Sequence, residues 1–209
     1  MNTFIKSALI AIVFATSVAS HAQWSGNIGW VSDYLFRGIF QSDSSAYGGI
    51  DYEQNGFYIG TWAADVDDGL EIDGYFGYGG EYGDFSYGIG FTGYYYTGNF
   101  DDTYQEINVS AGYGPVTVDA AFGDYENFNG PTQDYTFFSI TAEHNGFYGK
   151  FGSFSQDLNG DYFEFGYGTT ISELDVGLAL VIANDDLVGA NDDSLVFSIG
   201  KSFQFGPSQ

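Results

Sequence analysis

Residues 105–122 read Gln105-Glu106-Ile107-Asn108-Val109-Ser110-Ala111-Gly112-Tyr113, then Gly114-Pro115, then Val116-Thr117-Val118-Asp119-Ala120-Ala121-Phe122. On the first arm Ile107, Val109, Ala111 and Tyr113 fall at every second position, with Glu106, Asn108, Ser110 and Gly112 between them. The second arm sets Val116, Val118, Ala120 and Phe122 against Thr117, Asp119 and Ala121. A period of two puts each set on its own face of a strand, and Gly-Pro between the arms marks a turn. The stretch predicts a β-hairpin, apolar on one face and polar on the other.

The same pattern continues in both directions. Glu71-Ile72-Asp73-Gly74-Tyr75-Phe76 alternates, and in 173–182 Leu174, Val176, Leu178 and Leu180 oppose Glu173, Asp175, Gly177 and Ala179. Tyr58 and Trp62 against Phe57 and Ile59 leave the faces of that segment open. Short polar turns recur at Gln54-Asn55-Gly56, Tyr82-Gly83-Asp84, Gly114-Pro115, His144-Asn145-Gly146 and Thr170 to Ser172. Two of them sit in nearly the same words, Glu53-Gln54-Asn55-Gly56-Phe57-Tyr58 and Glu143-His144-Asn145-Gly146-Phe147-Tyr148. Asn-Gly between aromatic runs is a strong hairpin signal, because both residues accept the positive φ of a type I′ turn.

Longer acidic connections are expected at Gly38 to Ser45, Asp65 to Leu70, Gly98 to Thr103, Asp124 to Asp134, Ser155 to Asp161 and Ala183 to Asp193. Short and long links then alternate down the chain, as the periplasmic turns and outer loops of an outer-membrane barrel do. The pattern predicts an all-β fold: an antiparallel up-and-down transmembrane β-barrel of twelve strands. Strands of about ten residues, tilted near 40°, span roughly 25 Å, the height of a lipid-facing band. Trp24, Trp30, Tyr34, Phe57, Tyr58, Tyr94 to Tyr96, Phe147, Phe203 and Phe205 stand at strand ends, where aromatic girdles belong.

Composition agrees. The 209 residues include 31 Gly, 18 Tyr and 21 Phe but only 3 Pro, and 44% are apolar, so disorder is excluded. A net charge of −24 with 4 Lys and Arg excludes a nucleic-acid partner held through its phosphates. Residues 1–22 have the form of a secretory signal, with Lys6, an apolar run from Ala8 to Ala19, and Ser20-His21-Ala22 before a cut at Gln23. Residues 23–209 are then one barrel domain, exported to the outer membrane of a Gram-negative bacterium. There are no cysteines, so no disulfide or lipid-anchored Cys takes part.

Three words in the N-terminal third carry a family resemblance: Ser32-Asp33-Tyr34-Leu35-Phe36-Arg37-Gly38, Gly56-Phe57-Tyr58-Ile59-Gly60-Thr61-Trp62, and Glu71-Ile72-Asp73. In order and spacing they resemble the TorF family of porins. The resemblance implies an outer-membrane barrel of porin type, with no known solute and no catalytic residues. After about Gly114 only the general barrel pattern continues.

Enzymatic chemistry is not expected. The one histidine after the signal, His144, falls in a turn, and without cysteine neither a thiol nor a multi-His metal site can be built. Asp65 to Glu71 and Asp157 to Asp161 offer oxygen ligands at alternate positions, but neither completes an EF-hand; at most weak Ca²⁺ or Mg²⁺ association is expected there. With the apolar stripe facing lipid, the pore lining receives Asp51, Glu71, Asp73, Glu106, Asp119, Glu164, Glu173 and Asp175, joined by Glu53 and Glu143, against Lys150 and Arg37. Gly49, Gly77, Gly88, Gly90, Gly112, Gly152, Gly166, Gly168 and Gly177 fall on the same face. So many carboxylates need water or cations beside them. They predict a narrow electronegative lumen that passes small, preferentially cationic solutes. The competing expectation is a non-conducting barrel, closed by an inward loop or by Tyr75, Tyr94 and Tyr96, whose acidic loops bind a partner or divalent cations. Lipid and lipopolysaccharide are the surrounding partners in either case. Arg37, the only arginine, is expected at the outer end of the first strand, either pairing with cross-strand carboxylates or standing at a constriction.

Overall fold

The computed structural model describes residues 23–189 and 192–205; the expected signal segment and its cleavage site lie outside them. Twelve strands follow one another: β1 Gln23–Phe36, β2 Ile39–Gln54, β3 Phe57–Val66, β4 Gly69–Tyr82, β5 Phe85–Tyr96, β6 Tyr104–Tyr113, β7 Val116–Tyr125, β8 Gln133–His144, β9 Phe147–Gln156, β10 Gly160–Ile171, β11 Leu174–Ala183 and β12 Asp192–Phe205. Each pairs antiparallel with its sequence neighbours, and β1 pairs with β12, so the sheet closes on itself. The closing register runs from Trp24 opposite Phe205 to Val31 opposite Ser198. Among the described residues a single short helix, α1 (Asp185–Val188), lies between β11 and β12, capped by the Asn184 side chain on the Leu187 N–H.

Alternation decides what faces where. Ile107 and Val109 point outward while Glu106 and Asn108 point inward, and the same division holds around the wall. Ile28, Ile59, Phe76, Ile89, Phe122, Phe165, Leu178 and Leu195 stand exposed on the outside, with Trp24, Tyr78, Tyr113 and Phe147 among those near the end that carries the termini. In β3, whose faces the sequence left open, Tyr58, Trp62, Ala64 and Val66 point in.

The turns at the terminal end are short, as expected. Asn55-Gly56 and Asn145-Gly146 have φ of 53°/83° and 51°/83°, the left-handed pair of a type I′ hairpin. The β10–β11 turn falls at Ser172-Glu173, sharing Ser172 with the expected Thr170 to Ser172 and ending one residue later. At the opposite end the strict alternation of link lengths fails. Residues 39–45 are strand rather than loop, and β1 joins β2 through Arg37-Gly38 alone, with φ of 50° and 84°. β3 joins β4 through Asp67-Asp68. Only 97–103, 126–132 and 184–191 are long, and 157–159 is intermediate.

The core is inside the barrel and concentrated at that same end. Val31, Tyr34, Ala64, Val66, Tyr135, Phe137, Phe154, Tyr162, Val181, Ala183 and Val196 form one buried cluster, against which Phe100, Leu158 and Leu187 pack from the connections. Tyr34, Tyr94 and Tyr96, expected in a girdle, belong to this interior: Tyr34 is 0% exposed. A ring near a strand end goes to whichever face its parity gives it, and Tyr94 and Tyr96 share the parity of the inward Thr92. Tyr34, three positions after the inward Val31, is inward against the alternation, next to the register shift at Tyr34/Leu35.

Candidate functional site

The interior wall is built from three residue types in register. Glycines leave gaps, and tyrosine rings from neighbouring strands lie in them. Tyr58 lies over Gly77 and Gly90, Tyr75 over Gly60, Tyr148 over Gly166, Tyr162 over Gly152 and Tyr47 over Gly29, each where a Cβ on the glycine would collide with the ring. The glycines that suggested open space are therefore partly roofed.

The phenols in turn serve the acids. Tyr75 donates to Asp51 and Tyr148 to Glu164, while Tyr34 and Tyr96 both donate to Glu71. A phenol O–H is a neutral donor, and a carboxylate only accepts, so these bonds are charge-assisted without a countercharge. This corrects the expectation that cations or water must stand beside every inward acid: Asp51, Glu71, Glu106 and Glu164 each hold at least one tyrosine hydroxyl. The donors escaped the sequence reading because which ring reaches which acid depends on cross-strand register.

The β1–β2 hairpin reaches across this interior. Its tip residue Arg37 places both guanidinium nitrogens on Glu106 of β6, at 2.8 Å to Oε2 and 2.7 Å to Oε1. Tyr94 and Tyr135 add hydroxyl bonds at 2.8 Å each, and the Asn108 amide donates at 2.6 Å. The guanidinium lies 4.2 Å from the Phe137 ring centre and 4.8 Å from that of Phe36. Phe36 meets Tyr94 edge-on at 5.3 Å, and Gly38 sits against the Tyr162 ring. Arg37 is thus not at the outer end of the first strand but in the turn after it, and its carboxylate partner is not in the first hairpin.

Beside this clamp is a cavity of about 100 Å³. Arg37, Asp73, Glu106, Asp119, Ser139 and Lys150 line it, with Tyr34, Thr92, Tyr94 and Asn108. Asp51 and Glu164 face the interior elsewhere, and Asp175 holds the Thr170 hydroxyl near the terminal end. Glu173 is not on the wall. It occupies the β10–β11 turn, pairs with Lys201 at 2.8 Å and has a side chain 82% exposed. The strand alternation begins at Leu174 and does not extend back to Glu173.

The acidic connections are tied down locally. Asp68 accepts from the Asn99 backbone, and Asp101 from Tyr104 and Tyr125. Among the described residues, no three His, Cys, Asp or Glu side chains come together as a metal cage. His144 is exposed at the end of β8 beside Asn145.

Comparison with known proteins gives a fold and a family. A family model described as "Bacterial protein of unknown function (Gcw_chp)" matches residues 15–204. Its name differs from the one the N-terminal words suggested. No curated protein matches the sequence. Among solved structures, the KdgM porin aligns with TM-score 0.58 at 9% identity, over 87% of this chain and 99% of that one. A chain solved in work on in-meso crystallization of membrane proteins aligns with TM-score 0.58 at 12% identity, over 89% of this chain and 85% of that one. Pseudomonas aeruginosa OccK2 (OpdF) aligns with TM-score 0.45 at 14% identity, over 91% and 69%. At such identities the first two show the fold, a barrel of porin type.

Proposed function

The chain belongs to the Gcw_chp family of bacterial proteins, and we propose that it is an outer-membrane channel for passive diffusion of small, preferentially cationic solutes. One observation carries the reading: a closed sheet turns large apolar side chains outward all round and ionisable ones inward. A closed barrel leaves no unpaired strand edge, as a hydrocarbon environment requires, and its outward face is of the kind lipid covers. The inward acids Asp51, Asp73, Asp119, Glu164 and Asp175 outnumber Lys150 once Arg37 and Glu106 are paired, so the lumen attracts cations. Solute movement through such a lumen follows the gradient.

The apolar cluster around the hairpin tip favours a second reading. If that stopper is permanent, the barrel is a non-conducting scaffold whose acidic connections meet a partner or divalent cations at the cell surface.

Refolded protein in a planar bilayer separates the two. Discrete current steps, with a reversal potential favouring K⁺ in a KCl gradient and weakening toward 1 M salt, support the channel. A silent bilayer with a heat-modifiable barrel on gels supports the scaffold. Recovery of the protein in the soluble periplasm overturns both.

A further inference from the structure

Three ionisable side chains around the cavity have fewer hydrogen bonds than Arg37 and Glu106. Arg37 and Glu106 satisfy each other there. Lys150, by contrast, makes no hydrogen bond or ion pair with the described residues; Glu164, opposite it in register, takes the Tyr148 hydroxyl instead. Asp73 is 3% exposed, and its Oδ1 has no hydrogen-bond partner. Asp119 has one side-chain bond, a long one of 3.3 Å from Ser139. A polar atom withdrawn from bulk water without a partner is destabilising, as at Asp73, so a wall that carries it together with the half-buried Lys150 and Asp119 is complementary to something that enters.

The signs say what that is. A simple cation would satisfy Asp73 and Asp119 but be repelled by Lys150; a simple anion would meet the reverse. A solute carrying both charges answers all three. Size sets the second limit. Because a cavity of ~150 Å³ holds benzene, one of about 100 Å³ takes roughly four to six heavy atoms. We infer that this cavity is a binding site for a small zwitterion, an amino acid of about the size of glycine. Its ammonium lies toward Asp73 and Asp119, and its carboxylate toward Lys150. The inference deepens the channel reading by naming a solute class, and rests on it for the solute's access to the lumen.

The test uses the refolded full barrel in detergent and reads thermal unfolding against added glycine, methylammonium, acetate or glycerol. Glycine should raise the unfolding temperature saturably. Methylammonium and acetate should need about ten-fold higher concentration, and glycerol should act only as a nonspecific solute. Lys150→Met should weaken glycine about ten-fold or more while leaving methylammonium no weaker. Asp73→Asn, which keeps the shape if the lysine variant folds poorly, should weaken glycine and methylammonium together. Lys201→Met, at an outward position, should change neither. Methylammonium binding as tightly as glycine, or no solute shifting the transition, overturns the site. Single-channel recording is read separately. A glycine-dependent shift without current keeps the site and removes the channel; current without a shift keeps the channel and removes the site.

Discussion

Arg37 and Glu106, 69 residues apart, form a two-pronged ion pair that ties the tip of the first hairpin to the sixth strand across the inside of the barrel. Their side chains are 14% and 0% exposed. In the left-handed region a residue with a Cβ is disfavoured by roughly 1–2 kcal/mol, and Arg37 has a φ of 50°. The five donors gathered on Glu106 and the stacked rings of Phe36 and Phe137 offset that strain.

Removing one partner should release the tip. Glu106→Gln leaves the guanidinium without a countercharge, at a cost of about 3–5 kcal/mol. Arg37→Lys keeps the charge but loses the fork. Both variants should melt earlier and conduct more, or more noisily, than the parent in single-channel recordings. Unchanged conductance in a destabilised barrel would show that the hairpin does not bound the bore.

The outward face should reject charge. Ile107 is 51% exposed on the polar side chains' opposite face. Ile107→Arg should weaken folding into lipid vesicles by roughly 2–4 kcal/mol if the site is at mid-bilayer, and by less nearer a rim. A urea titration that shows no loss would mean this face is not covered by lipid.

Glycine should be replaceable only where no ring or carbonyl covers it. A Cβ at Gly77 would meet the Ile89 carbonyl and the Tyr58 hydroxyl, whereas Gly74 has nothing within 4 Å. Gly77→Ala should destabilise by about 1–3 kcal/mol through overpacking. Gly74→Ala should fold with parental yield. Equal melting temperatures for the two would contradict the packed wall.

Lys201 and Glu173 should matter little. The lysine holds the Glu173 carboxyl below the usual carboxylate range, by hydrogen bonding first and charge second. A lowered carboxyl contributes stability above its ordinary range and loses it as pH falls through the lowered one. Here the carboxylate is largely open to solvent, where salt screens the pair within a Debye length of about 8 Å. Glu173→Gln should leave the melting temperature unchanged at neutral pH in physiological salt. A marked acid-side difference between variant and parent would mean the turn contributes more than its exposure suggests.

Much of this architecture was legible because side-chain parity is a local property. Glu106 and Ile107 declare their faces through their immediate neighbours, and Asn55-Gly56 and Asn145-Gly146 mark their turns by backbone preference. The Arg37-Gly38 turn was hidden because arginine is no turn former; its conformation is held by a carboxylate on β6. Tyr58 over Gly77, or Tyr148 on Glu164, is a relation between strands that depends on register. Lys150 was readable as an inward base, but not that it makes no hydrogen bond to Glu164, whose carboxylate takes the Tyr148 hydroxyl rather than the lysine opposite.

The seam between β1 and β12 joins the two ends of the chain in time as well as in space. Gln23 and Gln204, whose side chains bond across it, are 181 residues apart. Every other strand can pair with one emerging just before it, but β1 must wait for the last strand with one backbone edge unpaired. Contacts of such sequence separation form late and slowly. The Arg37–Glu106 tie needs only the first six strands, so the hairpin can dock inside a curved, still open sheet before the wall is complete. A chain truncated before β12 should then hold the docked tip yet remain prone to edge-to-edge association, and its assembly should depend on a chaperone or insertion machine that shields the waiting edge.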